Sequence, residues 1–180
     1  VNDDGCVRPE TSLESMAKLK PAFDKEGVVT AGTSSPLTDG AAAVIVCSKE
    51  YAEKNNLNIM AYIRGMAISG CNPEVMGIGP VLSSQKALER AGIKLEEDED
   101  IEMNEAFAAQ SLACVKELGI DMSKLNLHGG AISMGHPLGA SGARITGKAA
   151  SLLQETGKRY ALSTMCVGGG QGCATVLERA

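Results

Sequence analysis

The most informative stretch of the sequence is NLHGGAISMGHPLGASGAR, which occupies residues 126–144. Glycine recurs through it, and glycine permits close approach of the backbone and a positive φ while it weakens regular helices and strands. The stretch is therefore predicted to be a loop. His136 lies in its middle and is followed by Pro137, and helix-forming residues resume after Ser141. This pattern predicts a loop that presents an imidazole and backbone N–H groups beside the start of a helix.

Extended and helical patterns alternate on both sides of this loop. Apolar runs predict strands at 41–47, 60–71, 101–103, 160–165 and 174–178, and Leu125 to His128 is predicted to be extended. Helical patterns lie between them. Such alternation is typical of an α/β fold in which helices cover the faces of a sheet. A glycine-rich turn at 168–172 separates the last two strands, which predicts an antiparallel hairpin and hence a mixed sheet.

Length and charge exclude some classes of protein. The chain has 180 residues with 17 Lys plus Arg and 22 Asp plus Glu, a net charge of −5. Its length suits one domain or a large part of one. The acidic balance argues against a nucleic-acid partner, because phosphate binding needs a clustered basic face. No run of 18 apolar residues occurs, so no membrane span is expected. The start at Val1 rather than methionine predicts a fragment or a processed product.

Six cysteines are spaced irregularly, at positions 6, 47, 71, 114, 166 and 173, without a Cys-x-x-Cys pair. This spacing does not predict a metal site. Cys47 and Cys114 lie in apolar runs and are predicted to be small core residues. The cysteines are expected to be free thiols in a reducing compartment.

Three polar side chains lie where predicted strands give way to loops: Asn104, His136 and Cys166. In α/β sheets, ligands bind where loops leave the strand ends. If the three loops share one end of the sheet, an amide, an imidazole and a thiol converge there. A histidine can move protons near neutral pH, and backbone N–H groups of the Gly168 turn could stabilise an oxyanion. Acyl transfer to or from a thioester needs such groups.

Each of these residues also has a purely structural interpretation. Asn104 precedes a predicted helix and could be its N-cap. His136 could be a structural histidine in a turn, and Cys166 could belong to the core. Composition and spacing alone therefore predict an α/β, enzyme-like domain with possible cysteine and histidine chemistry.

Several motifs resemble those of the thiolase family. They are NEAFA at 104–108, GGAISMGHPLGASGAR at 129–144 and CVGGGQG at 166–172. The stretches SMAKLKPAFD at 15–24 and TAGTSSPLTDGAA at 30–42 resemble the loop region of the family that faces coenzyme A. The resemblance covers essentially the whole chain and follows the family's order.

The resemblance implies catalytic roles. Asn104 would hold the water of a first oxyanion hole, and His136 would contribute to that hole and activate a nucleophilic cysteine. Cys166 would be the general acid and base at the α-carbon of the acetyl group. The backbone N–H of Gly168 would serve a second oxyanion hole.

The resemblance also implies the binding residues and the surroundings of the enzyme. Ser35 would lie next to the pantetheine arm and Phe23 near coenzyme A, which is a substrate, so no cofactor and no metal are expected. The expected partners are CoA and acyl-CoA substrates and further subunits in a homodimer or homotetramer. The expected location is the cytoplasm of a bacterium or another reducing compartment such as the mitochondrial matrix.

The chain departs from the family in length. A thiolase is about twice as long, and none of the six cysteines matches its acyl-accepting residue. The chain is therefore expected to lack the N-terminal half of the enzyme and to be inactive alone. That missing half is an expected partner of the chain. Residues 1–40 would end the CoA-facing loop region, and residues 41–58 would form the last strand and helix of the N-terminal domain. Residues 59–180 would form the C-terminal domain, with a mixed five-stranded sheet and helices on both faces.

The function that the resemblance implies is cleavage of 3-ketoacyl-CoA with CoA into acetyl-CoA and a shortened acyl-CoA, as in fatty acid β-oxidation. The HPL and SPLTDG sequences favour this degradative branch. The alternatives are a biosynthetic acetoacetyl-CoA thiolase and a non-catalytic domain that binds CoA or dimerises.

Overall fold

A mixed sheet lies at the centre of the fold. The computed structural model describes residues 2–97 and 100–180. In that part of the chain the strands are β1 (Ala61–Gly70), β2 (Asp100–Met103), β3 (Tyr160–Val167) and β4 (Gln171–Arg179). The α-helices are α1 (Leu13–Ala17), α2 (Lys49–Lys54), α3 (Gly79–Ala91), α4 (Ala108–Leu118), α5 (Ala131–Met134) and α6 (Leu138–Thr156).

The strand order brings two polar sequence motifs to one edge of the sheet. The strands are arranged β1-β4-β3-β2, and β3 pairs with β4 antiparallel, which confirms the predicted hairpin. β2 runs parallel to β3, with Met103 opposite Thr164. The carboxyl ends of parallel neighbours meet at the same edge of a sheet. Asn104, which follows β2, and Cys166, near the end of β3, are therefore brought to the same edge.

Helices cover both faces of the sheet, as predicted. On β3, Leu162 belongs to a core cluster that includes Leu88 of α3, whereas Ala161 belongs to a second cluster with Leu153 of α6. Successive residues of a strand point to opposite faces. It follows that α3 and α6 pack on opposite sides of the sheet.

The prediction of five strands is wrong within residues 2–97 and 100–180. Leu125 forms a single parallel bridge with Ile101, and this pairing does not extend into a ladder of several residues. The next residue, Asn126, has a φ of 47°, in the left-handed region. This backbone conformation ends the extended run after one pairing, so the chain leaves the sheet and enters the glycine-rich loop.

The strand predicted at 41–47 is also absent from the described structure. The side chains there are exposed, with 89% of Ile45 and 70% of Val46 accessible, and Cys47 is exposed rather than in the core. A strand needs a neighbouring strand to pair its backbone N–H and C=O groups, and in residues 2–97 and 100–180 none pairs with this run. The segment instead passes beside α6, where Val44 approaches Gly147. Cys114, by contrast, is fully buried, as predicted.

None of the helices among the described residues combines the length and the apolar character that crossing a bilayer requires.

Candidate active site

Asn104 lies at the edge of the sheet with its side chain turned inward. Its N–H donates to the carbonyl of Thr164 at 3.0 Å, which continues the contact between β2 and β3. The residue is fully buried. The next helix, α4, begins only at Ala108, and Phe107 occupies its N-cap position. The N-cap interpretation of Asn104 is therefore wrong, and its amide is available to another partner.

That partner is His136, which the glycine-rich loop carries. The Nε2 atom of His136 lies 3.4 Å from Nδ2 of Asn104, and its Nδ1 atom lies 2.7 Å from Oγ of Ser141. The Ser141 hydroxyl donates its proton to the carbonyl of Pro137 at 3.1 Å. It therefore accepts a hydrogen bond from Nδ1–H of the imidazole. This network leaves a lone pair on Nε2, directed at the Asn104 amide, so Nε2 is the basic nitrogen.

The charge state of His136 follows from its surroundings. Burial lowers the pKa of the imidazole, and the nearby positive charge of Arg144 lowers that pKa further. Both effects disfavour the imidazolium ion. His136 is thus a neutral imidazole near pH 7, which is the form that can accept a proton.

Two glycines let the loop approach its neighbours closely. Gly135 has a φ of 97°, and a Cβ atom there would overlap the side chain of Thr38. A Cβ atom at Gly130 would overlap the carboxylate of Glu105. The prediction that the glycines serve close approach of the backbone is confirmed at these two positions.

The segment around Ser35 packs against the site. The N–H and the hydroxyl of Ser35 both donate to the carbonyl of Ala106, at 3.0 and 3.2 Å. The N–H of His136 donates to the carbonyl of Pro36 at 3.2 Å. Hydrogen bonds therefore connect three segments into one wall of the site: residues 104–108, the glycine-rich loop and residues 35–36.

Phe23 lies beside the same wall. It is 80% exposed, and its ring meets that of Phe107 edge-on, with 6.2 Å between the centroids. An exposed aromatic ring in this position can pack against a ligand.

His136 opens onto a cleft of about 390 Å³. Residues 37–39 and Leu138 form the other sides of the cleft. Leu37 and Leu138 are 93% and 71% exposed. A reacting group that enters this cleft can therefore reach the imidazole.

Cys166 lies on β3, opposite Gly172 of β4, and is 5% exposed. Burial raises the pKa of the Cys166 thiol to about 11, and the nearby Cys114 acts in the same direction. The thiol therefore stays protonated at neutral pH. This state suits a proton donor rather than a resting nucleophile, since the thiolate is the nucleophilic form.

Gly168 begins the turn that follows Cys166. The residue is exposed, and apart from Gly168 and its two chain neighbours no described residue has an atom within 4 Å of the place a Cβ atom would take. Gly169 and Gly170 have φ values of 86° and 88°. Gly168 and Gly169 are exposed, whereas Gly170 is buried, so the start of this turn is open to a ligand, as an oxyanion site requires.

Some residues that hold the site together were not predicted from the sequence. Asn126 accepts a hydrogen bond from the N–H of Met103 and donates to its carbonyl, both at 2.9 Å. Ser141 and Glu105 were also overlooked. The serine could have been found from its spacing, since a residue five positions after a histidine can face it across the first turn of a helix.

Among the described residues no group of three or more His, Cys, Asp or Glu side chains is placed to hold a metal ion. The cysteines are free thiols.

Comparisons with known proteins agree with this fold. The family described as thiolase, C-terminal domain, matches residues 57–179, and the family described as thiolase, N-terminal domain, matches residues 1–50. The chain is 53% identical to a 3-ketoacyl-CoA thiolase of Vibrio vulnificus over 99% of this chain and 47% of that protein. It is 55% identical to a 3-ketoacyl-CoA thiolase of Shewanella loihica over 100% of this chain and 48% of that protein.

Solved structures of similar enzymes also superpose closely on this chain. Human mitochondrial 3-ketoacyl-CoA thiolase superposes with a TM-score of 0.96 at 47% identity, over 98% of this chain and 45% of that chain. The acetyl-CoA acetyltransferase of Bacillus anthracis superposes with a TM-score of 0.96 at 42% identity, over 99% and 45%. The chain thus spans about half the length of the relatives it matches.

Proposed function

The chain belongs to the thiolase family, and from this premise we propose that it supplies the proton-transferring side of a 3-ketoacyl-CoA thiolase. The observation that carries the proposal is the 3.4 Å contact between Asn104 Nδ2 and His136 Nε2. It places an amide donor and a basic nitrogen together at the sheet edge to which β3 brings Cys166. The reaction is cleavage of 3-ketoacyl-CoA with CoA into acetyl-CoA and a shortened acyl-CoA.

In the first half of the reaction, His136 Nε2 takes the proton of a nucleophilic cysteine carried by the other half of the enzyme. The thiolate attacks the 3-keto carbon, and the negative oxygen that forms is stabilised by protonated Nε2 and by a water held by Asn104. The C2–C3 bond then breaks. The products are an acyl thioester on the cysteine and the enolate of acetyl-CoA.

Cys166 manages the proton in both halves of the reaction. Its thiol protonates the enolate, which releases acetyl-CoA and leaves a thiolate at position 166. A thiol in water has a pKa of about 8.5, whereas burial raises the pKa of Cys166 to about 11. The Cys166 thiolate is therefore basic enough to take the proton of an incoming CoA thiol. The CoA sulfur then attacks the acyl thioester and expels the nucleophilic cysteine as a thiolate, which takes back the proton held on His136 Nε2, so that both residues return to their starting states.

Three further residues would bind the substrate. The N–H of Gly168 donates to the oxygen of the enolate, Ser35 lies along the pantetheine arm, and Phe23 packs against CoA. The exposed backbone at Gly168 and the exposed ring of Phe23 support these roles. A solved human mitochondrial relative was crystallised in complex with CoA, which supports CoA as the ligand.

The surroundings of the enzyme are proposed on the same basis. CoA is a substrate, and the steps above need neither a metal nor a resident cofactor. The partners are the half of the enzyme that bears the nucleophile and further copies, in a homodimer or homotetramer. Free thiols at all six cysteines fit a reducing compartment such as a bacterial cytoplasm or the mitochondrial matrix.

An acetoacetyl-CoA thiolase is the second candidate, because the structurally similar Bacillus anthracis protein is named an acetyl-CoA acetyltransferase. The two functions differ in the acyl chains they accept. Comparable kcat/KM values for acetoacetyl-CoA and for longer 3-ketoacyl-CoA substrates support the degradative enzyme. Activity confined to acetoacetyl-CoA supports the second candidate.

The proposed function predicts that the purified 180-residue chain does not cleave acetoacetyl-CoA by itself, because the nucleophile belongs to the other half. Mixing or fusing it with a thiolase N-terminal half that carries the acyl-accepting cysteine is expected to restore cleavage. The measurement is loss of 3-ketoacyl-CoA absorbance in the presence of CoA. Intact-mass analysis verifies that the sample contains no longer thiolase. Turnover by such a sample would show that the 180-residue chain does not need a nucleophile from the other half. No turnover by the assembled enzyme would refute the function.

The pKa directions predict a pH profile for the assembled enzyme. His136 is the base only when neutral, and its pKa lies below the ordinary 6.5, so kcat/KM is expected to fall only below about pH 6.5. Cys166 donates only when protonated, and its pKa of about 11 keeps it so through pH 9. The initial rate of 3-ketoacyl-CoA cleavage between pH 5 and 9 tests both. An acid limb centred above pH 7 that is absent from a His136→Asn variant would identify His136 as the base but contradict the lowered pKa of its imidazole.

A further inference from the structure

Glu105 follows Asn104 directly in the chain, and the chemistry proposed above does not use it. Its Oε1 atom accepts a hydrogen bond from Nδ2 of Asn126 at 2.7 Å. Its Oε2 atom accepts one from the backbone N–H of Ile132 at 3.1 Å. One carboxylate therefore joins the end of β2 to two points on the segment that leads to His136.

The fit of this carboxylate is close. A Cβ atom at Gly130 would overlap its carbon and both of its oxygens, so the carboxylate lies against the backbone of Gly130. Asn126 is itself bound to both backbone polar groups of Met103, and the two hydrogens of its Nδ2 serve Met103 and Glu105. Few alternative arrangements are open to a group held in this way.

We propose that Glu105 is a positioning residue for His136: its carboxylate fixes α5 and, through it, the contact between His136 Nε2 and the Asn104 amide. Glu105 is the neighbour of Asn104 in the chain, so the segment that carries the Asn104 amide also holds the loop that carries the His136 imidazole. The proposal rests on the proposed function, because that function gives the imidazole its task in catalysis.

Glutamine at position 105 is a sharp test because it keeps the shape of the side chain and changes only its hydrogen-bonding capacity. Both partners of Glu105, Asn126 Nδ2 and Ile132 N, are donors. A glutamine amide offers one oxygen and one NH₂ group, so one donor must face another donor. One of the two contacts is lost, and α5 shifts.

A second tether keeps the loop attached in this variant. Nζ of Lys148 donates to the carbonyl of Gly129 at 2.9 Å and pairs with the buried Glu102 at 3.2 Å. These contacts of Lys148 do not involve Glu105. The expected change is therefore a local displacement around His136 and not unfolding of the loop.

Imidazole nitrogen NMR of the 180-residue chain measures the position of His136 directly. The chain has two histidines, and the second, His128, is exposed and pairs with Glu155 at 3.2 Å, so it serves as an internal reference. The wild type is expected to show His136 with its proton on Nδ1. In Glu105→Gln the His136 nitrogen signals are expected to shift toward a mixture of the two tautomers, and to shift more than those of His128, whose neighbour Gly129 stays bound to Lys148.

Kinetics of the assembled enzyme provide the second measurement. Misplacement of the base is expected to lower kcat by roughly 10–100-fold and to leave KM nearly unchanged. Glu117→Gln, the same substitution at an exposed position of α4, is expected to keep the wild-type kcat. Circular dichroism and the His128 signals verify that the variants are folded.

The outcomes separate this proposal from the proposed function. Unchanged His136 signals in Glu105→Gln would overturn the positioning role, whether or not kcat falls, and so would an unchanged kcat. Shifted His136 signals together with a lowered kcat would establish it. If the wild-type assembled enzyme has no turnover, the proposed function fails, and the NMR measurement still decides whether Glu105 places His136.

Discussion

Turnover of 3-ketoacyl-CoA by the assembled enzyme is expected to fall by roughly 10²–10⁴-fold when Cys166 is replaced by alanine, which is the usual contribution of a positioned acid or base. The loss arises because the enolate of acetyl-CoA then has no proton donor and the incoming CoA has no base. Acylation of the nucleophilic cysteine by a simple acyl-CoA is expected to persist. In that step His136 still takes the proton of the nucleophilic cysteine, and the departing CoA thiolate can take a proton from water.

Two measurements separate these effects: the steady-state rate of cleavage, and the mass of the acylated cysteine after incubation with acyl-CoA. Cys173→Ala is the matched control. Burial raises the pKa of the Cys173 thiol as well, but Cys173 lies on β4, opposite Met165. It is expected to retain most of the turnover. Near-normal turnover by Cys166→Ala would show that the acid and base is another group.

Replacement of His136 by asparagine is expected to lower both the turnover and the acylation of the nucleophilic cysteine by roughly 10³–10⁴-fold. Asparagine has no nitrogen that accepts a proton near neutral pH, so the nucleophile stays a thiol. It also cannot supply the charged Nε2–H that stabilises the first oxyanion. Both effects belong to the first half of the reaction, which distinguishes this variant from Cys166→Ala.

The rate of acyl-enzyme formation under single-turnover conditions is the decisive measurement. His128→Asn removes the other histidine, which is exposed and pairs with Glu155, and is expected to acylate at the wild-type rate. An acyl-enzyme that forms as fast in His136→Asn as in the wild type would exclude His136 as the base. A slow acylation that is accelerated by alkaline pH would support the loss of a base.

The sequence predicted the local features of the site well. The glycine turn after Cys166 and the hairpin were predicted from residue types. The stretch around His136 was predicted to be a loop until after Ser141, and this is wrong in part. It contains the short helix α5, and α6 already begins at Leu138. These features depend on backbone preferences of nearby residues, in particular on glycine at positive φ, as at Gly135. The mixed sheet with helices on both faces followed in the same way from the order of the patterns.

Two predictions of the fold failed because pairing depends on distant residues. The run at 41–47 has the composition of a buried strand, but no described strand pairs with it, and its side chains are exposed. Leu125 has a strand partner in Ile101, but the left-handed backbone of Asn126 stops the ladder at one bridge. Composition indicates what a segment can bury and not whether a partner is present.

The sequence by itself determined which groups the protein offers: an amide at 104, an imidazole at 136 and a thiol at 166, each beside a turn. The tertiary structure alone decided their chemical states. The lone pair of His136 lies on Nε2 because Ser141 engages Nδ1, and the Cys166 thiol stays protonated because it is buried. Proton affinity depends on desolvation and on neighbouring dipoles and charges. Those neighbours come from positions far apart in the chain, which only folding brings together.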